Sequence, residues 1–394
     1  MSQTIHMDTC NTIELEDLYQ LRTYSKFPLQ IERGSDVFVY DNEENRYLDL
    51  YGGHVVVSTG HSHPRVVAAI SEQAAQLIFY SNIVYNSTRA RAAQRLIQVA
   101  PAGLDKVFFV NSGSEANENA IKIARKVTGR KTVISMNNGF HGRTLAAASA
   151  TGFPKYRDPL VPRVPNHVFA DFGDLRSVEA LVDNDTAAIL LEPIQSMAGV
   201  VIAAPEYYQQ LRQLCDRTGA MLIYDEVQTG VGRTGEYFFS GRYGVVPDML
   251  SMAKGIASGF PMGAVLLSER LAGGIHVGDY GSTFGGSPLA CAALLATFDV
   301  IEDEGILENV REGSRYLLEQ ARAIPGITQA WGMGFLIGMR FTCDAKQVQK
   351  DLLHRRILTG LAEDKTVLRL LPPLTLKQQE IDYFLENLRE VLCR

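Results

Sequence analysis

The sequence predicts an α/β fold, in which a largely parallel sheet flanked by helices precedes a smaller region of mixed helices and strands. Short apolar runs from residue 106 onward alternate with segments of helical spacing, which indicates βα units. Right-handed crossovers then place helices on both faces of the sheet. A chain of 394 residues is also long for a single core. The strand candidates are residues 106–110, 131–136, 186–191, 220–224 and 263–268.

The N-terminal part of the chain has a different pattern. Residues 12–33 are spaced as a helix followed by an extended arm. Residues 36–41 and 46–50 alternate between apolar and polar side chains and enclose a polar turn, which is typical of a hairpin. We expect residues 1–55 to form this helix, arm and hairpin and to pack with a small C-terminal domain.

The C-terminal part mixes both kinds of element. A long helical run at 288–303 leads away from the sheet, and strand patterns follow at 334–341 and 366–371. We therefore expect a large domain at 56–285 and a small α+β domain at 286–394.

Composition argues against several classes of protein. Apolar residues make up 46% and charged residues 21% of the chain, as in ordinary soluble globular proteins. The net charge of −6 and the lack of a basic run argue against nucleic acid as a partner. The chain has no uninterrupted apolar run of ~18 residues, so we expect no membrane span.

The N-terminal residues and the cysteines favour a cytoplasmic protein. Residues 1–11 are polar and have no apolar signal segment. The five cysteines are odd in number and lack metal-type spacing, which suits reduced thiols. They are Cys10, Cys215, Cys291, Cys343 and Cys393.

Lys254 is a candidate amine nucleophile. It lies among small and apolar residues, and no other charged residue follows Asp248 in that run. Glycines and a proline after Lys254 indicate a turn instead of a long helix. A lysine in an apolar setting loses its proton more readily and can form a Schiff base. A surface lysine on a glycine-rich loop is the alternative that the spacing alone leaves open.

Asp225 is a candidate partner for a buried cation. It ends the apolar run 221–224, which reads as a buried strand, and glycines follow it. Ligands of open α/β sheets bind at such strand ends. A buried carboxylate needs a cationic partner, and a protonated pyridine nitrogen is one such group. An Asp that caps the loop is the alternative.

A Ser-Gly-Ser turn at 112–114 lies between a strand pattern and a helical pattern. Free backbone N–H groups at a helix start, together with hydroxyls, suit a phosphate. A simple helix N-cap would give the same pattern. These three features would together bind one cofactor: a turn for its phosphate, a carboxylate for its pyridinium and a lysine for a Schiff base.

The chain resembles the class III, pyridoxal-phosphate-dependent aminotransferases, and within them the acetylornithine/ornithine type. The resemblance extends from about residue 34 to residue 373 and implies fold type I, with a mostly parallel seven-stranded sheet in the large, cofactor-binding domain. The matching motifs are NSGSEAN (111–117), GFHGRT (139–144), LEPIQ (191–195), DEVQ (225–228), AKG (253–255) and GSTFGG (281–286).

The resemblance also implies site residues. Lys254 and Asp225 are the catalytic residues, Phe140 and Val227 pack on the two faces of the cofactor ring, and Gln228 contacts its phenolic oxygen. Thr283 reaches the phosphate of the neighbouring subunit, which implies a homodimer with shared active sites. The remaining cofactor-binding positions are Ser112, Gly113, Ser114, His141 and Glu192. No metal is expected, and His61 and His63 are interpreted as part of a loop before a helix at 65–77.

Two arginines are implied in carboxylate binding. Arg369 is a charged residue within an apolar strand pattern, where its planar fork suits a carboxylate. By itself this pattern also allows an internal salt bridge. In the family, the Arg369 position takes the α-carboxylate, and the Arg143 position takes the side-chain carboxylate or that of the ω-amino donor. Tyr24 and His54 are expected in the substrate mouth.

Three departures from the family pattern concern the donor. Met197 occupies the place of a carboxylate that pairs the second arginine in relatives, His54 replaces Ile or Tyr, and Ser287 replaces Asn. The family default is transfer from N-acetylornithine to 2-oxoglutarate, giving glutamate, in arginine synthesis. The alternatives are an ω-transaminase or aminomutase with another donor and, from a different class, a non-catalytic binding protein on the same fold.

Overall fold

The N-terminal region forms a short helix, an arm and a hairpin, in a computed structural model that describes residues 11–156 and 160–393. Within the hairpin, Asp41 accepts hydrogen bonds from the backbone N–H groups of Glu43 and Asn45 at 3.0 and 2.8 Å, which closes the predicted polar turn. The elements are α1 (Thr12–Tyr19), β1 (Ile31–Ser35), β2 (Phe38–Asp41) and β3 (Arg46–Asp49). Cys10 and residues 1–10 as a whole lie outside the described residues.

The central part of the chain alternates helices and strands, as the sequence predicts. Three 3₁₀ turns accompany it at Pro154–Tyr156, Arg242–Gly244 and Lys254–Ala257. The elements are α2 (Gly52–Val55), α3 (Pro64–Gln76), α4 (Ser87–Val99), β4 (Lys106–Val110), α5 (Gly113–Thr128), β5 (Thr132–Met136), α6 (Leu145–Ala150), β6 (His167–Ala170), α7 (Leu175–Glu179), β7 (Thr186–Leu191), β8 (Ile194–Gln195), β9 (Val201–Ile202), α8 (Pro205–Thr218), β10 (Met221–Asp225), β11 (Met249–Met252), β12 (Gly263–Leu267) and α9 (Glu269–Ala272).

Seven of these strands form the central sheet, in the order β4-β12-β11-β10-β7-β5-β6. The five strands from β11 to β6 pair in parallel, and β12 is antiparallel to both β4 and β11. The mostly parallel seven-stranded sheet that the family resemblance implies is therefore confirmed.

Two strands of the central sheet are missing from the prediction. β6 and β11 each have four residues, and neither reads as a separate apolar run. Their pairing is set by tertiary contact: Met249 to Ser251 lie in register with Ile223 to Asp225 of β10. Strands as short as β6 and β11 depend on pairing with a neighbouring strand more than on local propensity.

The C-terminal region contains a four-stranded antiparallel sheet, in the order β13-β14-β17-β16. The long helix α10 has the predicted bounds, and Ser287, one of the departures from the family pattern, caps it by accepting from the Ala290 N–H at 3.4 Å. The elements are α10 (Pro288–Asp303), α11 (Ile306–Arg322), β13 (Ile327–Met333), β14 (Leu336–Phe341), α12 (Ala345–His354), β15 (Ile357–Leu358), β16 (Gly360–Leu361), β17 (Val367–Leu370) and α13 (Gln378–Leu392).

A third sheet joins the N-terminal hairpin to the C-terminal region. β15 pairs in parallel with β3, so that the N-terminal hairpin and the C-terminal region form the order β1-β2-β3-β15. Leu48 and Ile357, which lie in register, are both fully buried. Across residues 11–156 and 160–393, no helix combines the length and apolarity that crossing a membrane would require.

Candidate active site

The carboxyl ends of the parallel strands surround a cavity of about 360 Å³. The segments that follow β4, β5, β7, β10 and β11 all contribute side chains to its wall, as expected for an α/β sheet. Thr283 alone among the predicted cofactor-binding residues does not line it. The lining includes Ser112, Gly113, Ser114, Phe140, His141, Glu192, Asp225, Val227, Gln228 and Lys254.

Asp225 is a buried carboxylate with a fixed orientation. Its Oδ2 lies 2.8 Å from His141 Nδ1 and accepts from Asn117 Nδ2 at 2.7 Å. Its Oδ1 accepts from the Val227 N–H at 3.1 Å. Asn117 is itself held, because its Oδ1 accepts from the Ser251 hydroxyl at 2.5 Å. The carboxylate is thus held from three sides at the end of β10.

Lys254 begins a 3₁₀ turn directly after β11 and also lines the cavity. Its φ of 47° lies in the left-handed region, which a non-glycine residue adopts at a cost of about 1–3 kcal/mol. Burial lowers the pKa of the Lys254 ammonium, while the negative charges of Asp225 and Glu192 oppose that shift. The neutral amine is therefore more accessible here than on an exposed lysine.

Glu192 follows β7 and lies under the loop that bears Phe140. Its Oε1 accepts from the Phe140 N–H at 2.8 Å, and this hydrogen bond fixes the position of that loop relative to the end of β7. Burial raises the pKa of Glu192 to about 7. The carboxyl therefore supports the wall of the cavity and is easier to protonate than an exposed glutamate.

The start of α5 forms one end of the cavity. Ser112 caps this helix by accepting from the Glu115 N–H at 3.2 Å, so its backbone donors open toward the cavity wall. A Cβ added to Gly113 would come within 2.9 Å of Val227, so only glycine allows this close approach. Ser114 accepts from the Arg143 N–H at 3.3 Å. The turn presents the backbone donors that an anion requires.

Gln228 supports the view that the cavity receives a polar molecule. Its Oε1 is buried and has no hydrogen-bond partner among the described residues. A buried amide oxygen without a partner costs about 1–3 kcal/mol, so a group from outside the chain is expected to satisfy this side chain. With Phe140 and Val227 as apolar walls, the cavity fits a flat aromatic ring with polar substituents.

Thr283 lies on the surface, outside this cavity. It is exposed together with Phe284, in a loop between α9 and α10. Asn82 holds the loop by donating to the backbone oxygens of Ser282 and Gly285 at 3.1 and 3.0 Å. Within one chain, Thr283 is therefore not brought to the site.

Arg369 extends from β17 and is only 4% exposed. Its Nε donates to the Leu361 carbonyl at 2.8 Å, and its Nη1 donates to the Ser196 hydroxyl at 2.9 Å. Both acceptors are neutral, so the guanidinium has no ion-pair partner among the residues that the structure describes. Burial lowers the pKa of Arg369, but arginine remains charged.

Ser196 is a site residue that the sequence did not reveal. It is fully buried, and its backbone carbonyl accepts from the Gly199 and Val200 N–H groups at 3.1 Å each. The neighbouring Met197 is half-buried, and its carbonyl accepts from the Glu363 N–H at 3.1 Å. The side chain that contacts Arg369 is therefore that of Ser196, directly before Met197.

Arg143 lies at the mouth of the site among aromatic rings. Its guanidinium carbon is 5.5 Å from the Tyr24 ring and 5.1 Å from the Tyr156 ring. Tyr156 in turn contacts Phe140 edge to face, with 5.2 Å between ring centroids. Arg143 is exposed and therefore available to a ligand.

His54 is next to the same mouth, on the left-handed turn α2. Its Nδ1 lies 2.5 Å from the Tyr51 hydroxyl. Burial and then the positive charges of Lys254, Arg369 and Arg143 lower the pKa of His54 to about 4. His61 and His63 lie apart from it, paired with Asp49 at 2.8 Å and Glu304 at 3.1 Å.

Comparisons with known proteins agree with this geometry. The chain is 41% identical to the acetylornithine aminotransferase of Methanocaldococcus jannaschii over 97% of its length and 98% of that protein. It is 42% identical to the acetylornithine aminotransferase of Methanopyrus kandleri over 96% of its length and 98% of that protein.

Solved structures give the same result. The ornithine aminotransferase of Toxoplasma gondii superposes with a TM-score of 0.91 at 30% identity, over 97% of this chain and 93% of that one. The acetylornithine aminotransferase of Elizabethkingia anophelis has a TM-score of 0.85 at 30% identity, over 97% of this chain and 98% of that one. The sequence profile of the class III aminotransferases matches residues 19–392. The chain belongs to the class III aminotransferases and is a pyridoxal-phosphate-dependent transaminase.

Proposed function

We propose that this transaminase takes the ω-amino group of N-acetylornithine and transfers it to 2-oxoglutarate, giving glutamate. The buried Arg369, which donates to the neutral oxygens of Leu361 and Ser196, carries the 2-oxoglutarate and glutamate half of the proposal, because an α-carboxylate is the partner that such a cation favours. The names of the relatives at about 40% identity support the donor.

Pyridoxal phosphate, when bound, supplies an electron sink for the bond that breaks at the donor carbon. Lys254 is the proposed point of covalent attachment. Once the donor amine is bound, Lys254 Nζ would take a proton from the donor carbon as a base and would later return it as an acid. Its lowered pKa favours the neutral amine that the first of these roles needs.

Asp225 is the proposed counter-charge of the cofactor's ring nitrogen. The contacts with His141 and Asn117 hold its carboxylate in one orientation, so no reorganisation is needed during the reaction. Ser112, Gly113 and Ser114 would hold the phosphate through α5 and its capping turn. Phe140 and Val227 would pack against the two faces of the ring.

Two cations would orient a dicarboxylate acceptor. Arg369 would bind the α-carboxylate of 2-oxoglutarate and of glutamate, close to Lys254, whose pKa its charge helps to lower. Arg143, exposed between Tyr24 and Tyr156, would bind the distal carboxylate of the acceptor or the carboxylate of the ω-amino donor. Positioning both ends of the substrate is what brings its reacting carbon to Lys254.

A homodimer would complete the phosphate site. Thr283 lies outside the cavity of its own chain, and Asn82 ties its loop to a segment with large exposed apolar side chains. Ile83 is 84% exposed and Phe284 is 60% exposed, which is typical of an interface. We expect these side chains to be buried against a second copy, with Thr283 directed to its phosphate.

The domain boundaries and the cytoplasmic location remain predictions. The pairing of β15 with β3 favours the assignment of residues 1–55 to the small domain. Neither point affects the assignment of the substrates.

A donor screen tests the proposed reaction. Purified enzyme with its cofactor is mixed with N-acetylornithine, ornithine, glutamate and simple ω-amines, and the change in cofactor absorbance is followed. N-acetylornithine and glutamate should each convert the cofactor, and 2-oxoglutarate should reverse the change. If a simple ω-amine reacts well and N-acetylornithine does not, the proposed donor is wrong.

A further inference from the structure

We propose that His54 recognises the acyl group of the donor, by donating a hydrogen bond from its Nε2–H to the acyl carbonyl oxygen. This inference rests on the proposed function and makes it more specific: the preferred donors are diamino acids whose α-amine is acylated. It assigns to this histidine a contact that separates N-acetylornithine from free ornithine.

The backbone holds His54 in a fixed and unusual position. Gly52, Gly53, His54 and Val55 have φ angles of 57, 55, 73 and 67°, which makes α2 a single turn of left-handed helix. Such angles are unfavourable for His and especially for the β-branched Val, and persist only where the surroundings impose them. Asp49 imposes them here by accepting from the N–H groups of Gly52 and Gly53 at 2.9 Å each.

The hydrogen bond to Tyr51 determines which ring nitrogen carries the proton. The positive charge of Arg369 acts on Tyr51 and strengthens its O–H as a donor. A phenol O–H is a stronger hydrogen-bond donor than a neutral imidazole N–H, and an imidazole nitrogen is a stronger acceptor than a phenol oxygen. The Tyr51 hydroxyl therefore donates to His54 Nδ1, at 2.5 Å. An accepting Nδ1 requires that a neutral imidazole carries its hydrogen on Nε2. The edge of the ring opposite Tyr51 therefore presents an N–H donor.

His54 remains neutral at the pH where the enzyme works. The partly buried position of the ring, and then the positive charges of Lys254, Arg369 and Arg143, lower the pKa of His54 below its usual value. The ring is nevertheless exposed, so a ligand in the mouth can reach it. A neutral N–H donor in a positive environment selects a neutral or negative oxygen.

The two carboxylate sites are already assigned to Arg369 and Arg143, which leaves the acyl oxygen as the acceptor for His54. Free ornithine would place an α-ammonium in the same region. That cation would meet the imidazole N–H and the positive charges of Arg369 and Arg143, without an acceptor from His54. Acylation removes the charge of the α-amine and adds a carbonyl oxygen. The Nε2–H of His54 therefore accounts both for the preference for an acylated α-amine and for the discrimination against the α-ammonium.

The test compares two variants of His54 that differ in whether the side chain carries an N–H hydrogen-bond donor. His54→Gln keeps an N–H group at about the reach of Nε2, and His54→Met has a similar length without one. Both replacement side chains bear the same free-energy cost of a left-handed backbone conformation at residue 54. His354→Met, at the end of α12, is the control for the substitution itself. Half-reaction rates with N-acetylornithine and glutamate are measured, together with the melting temperature.

We expect His54→Met to lower kcat/KM for N-acetylornithine by about tenfold to a hundredfold, mainly through KM, as for one lost hydrogen bond. His54→Gln should keep most of the activity, and the glutamate rate should stay within about twofold in both variants. Calorimetric binding of N-acetylnorvaline, which lacks the reacting amine, should weaken in His54→Met by a similar factor.

Three outcomes would overturn the inference. Equal losses in the Gln and Met variants would remove the role of the N–H donor. A parallel loss with glutamate would assign His54 to the support of Arg369 through Tyr51. Wild-type enzyme that reacts with glutamate but not with N-acetylornithine would show that the proposed donor is wrong before any variant is made.

Discussion

Arg369 and Ser196, 173 positions apart in the chain, form a buried hydrogen bond from a charged donor to a neutral acceptor, with 2.9 Å between Nη1 and the serine oxygen. The serine fixes the guanidinium without cancelling its charge. A carboxylate in this place would cancel it and compete with the substrate. The arrangement therefore favours substrates that bring an α-carboxylate to Arg369, as 2-oxoglutarate and glutamate do.

Replacing Ser196 with Ala should weaken carboxylate binding by about tenfold. The change leaves one guanidinium N–H without its acceptor, and hydrogen bonds to charged groups contribute about 1.5–3 kcal/mol. The KM for 2-oxoglutarate should rise while kcat changes little, because the serine positions Arg369 and does not contact the reacting atoms. Ser196→Thr, which keeps the hydroxyl, should retain binding. Equal kinetic constants in wild type and Ser196→Ala would contradict the role.

Borohydride should link the cofactor irreversibly to Lys254. This lysine combines a cavity position, a lowered pKa and proximity to Asp225 and Glu192. The purified protein should be yellow, and peptide mapping after reduction should find the cofactor on the peptide that contains Lys254. Lys155, which is exposed and paired with Glu363, serves as an internal control and should not be labelled. Labelling of any lysine other than Lys254 would refute the assignment.

Replacing Asp225 with Ala should slow turnover by roughly a hundredfold or more. The variant loses the charge proposed to stabilise the protonated ring nitrogen, an effect typically worth a few kcal/mol. Loss of Asp225 also leaves His141 Nδ1 and Asn117 Nδ2 without their shared acceptor. Asp225→Asn separates the two effects, because it keeps the shape and removes the charge. Near-normal turnover in both variants would exclude the pyridinium role.

Much of this site could be predicted from the sequence because its cofactor residues lie in short continuous motifs. Asp225 at the end of β10, the Ser-Gly-Ser turn before α5 and Lys254 after β11 all line the cavity at the sheet edge, and their roles toward the cofactor stay predictions. Ser196, on the substrate side, could not be predicted in this way. It has no local signal, since its role depends on a contact with Arg369, from a strand far along the chain.

The enzyme should sediment as a dimer or larger at working concentration. Ile83 is 84% exposed in the single chain and lies beside the loop of Thr283. Ile83→Asp should shift the protein toward monomer and weaken cofactor binding, because burying an unpaired charge in an interface is costly. Ile83→Val should behave as wild type. A monomer with full activity would contradict the shared phosphate site.

The last prediction concerns Met197, which by the family resemblance occupies the place of a carboxylate. Met197 is half-buried directly after Ser196, and loop 361–364 covers its carbonyl through the Glu363 N–H. A glutamate at this position would lie near Arg369 and would compete with a substrate α-carboxylate, by about 1–3 kcal/mol for a charged hydrogen bond. Glutamate as donor should then react more slowly, since it depends on Arg369.

In Met197→Glu, the half-reaction rate with N-acetylornithine should rise relative to the rate with glutamate. Once Arg369 is neutralised, it no longer attracts the carboxylate of N-acetylornithine to the side of the reacting carbon. The measurement is the ratio of the two half-reaction rates in wild type, Met197→Glu and the uncharged control Met197→Gln. The Gln variant should keep the wild-type ratio, and the Glu variant should shift it by roughly tenfold. If all three enzymes give the same ratio, position 197 does not select the donor, and the choice is made by Ser196, His54 and Arg143 alone.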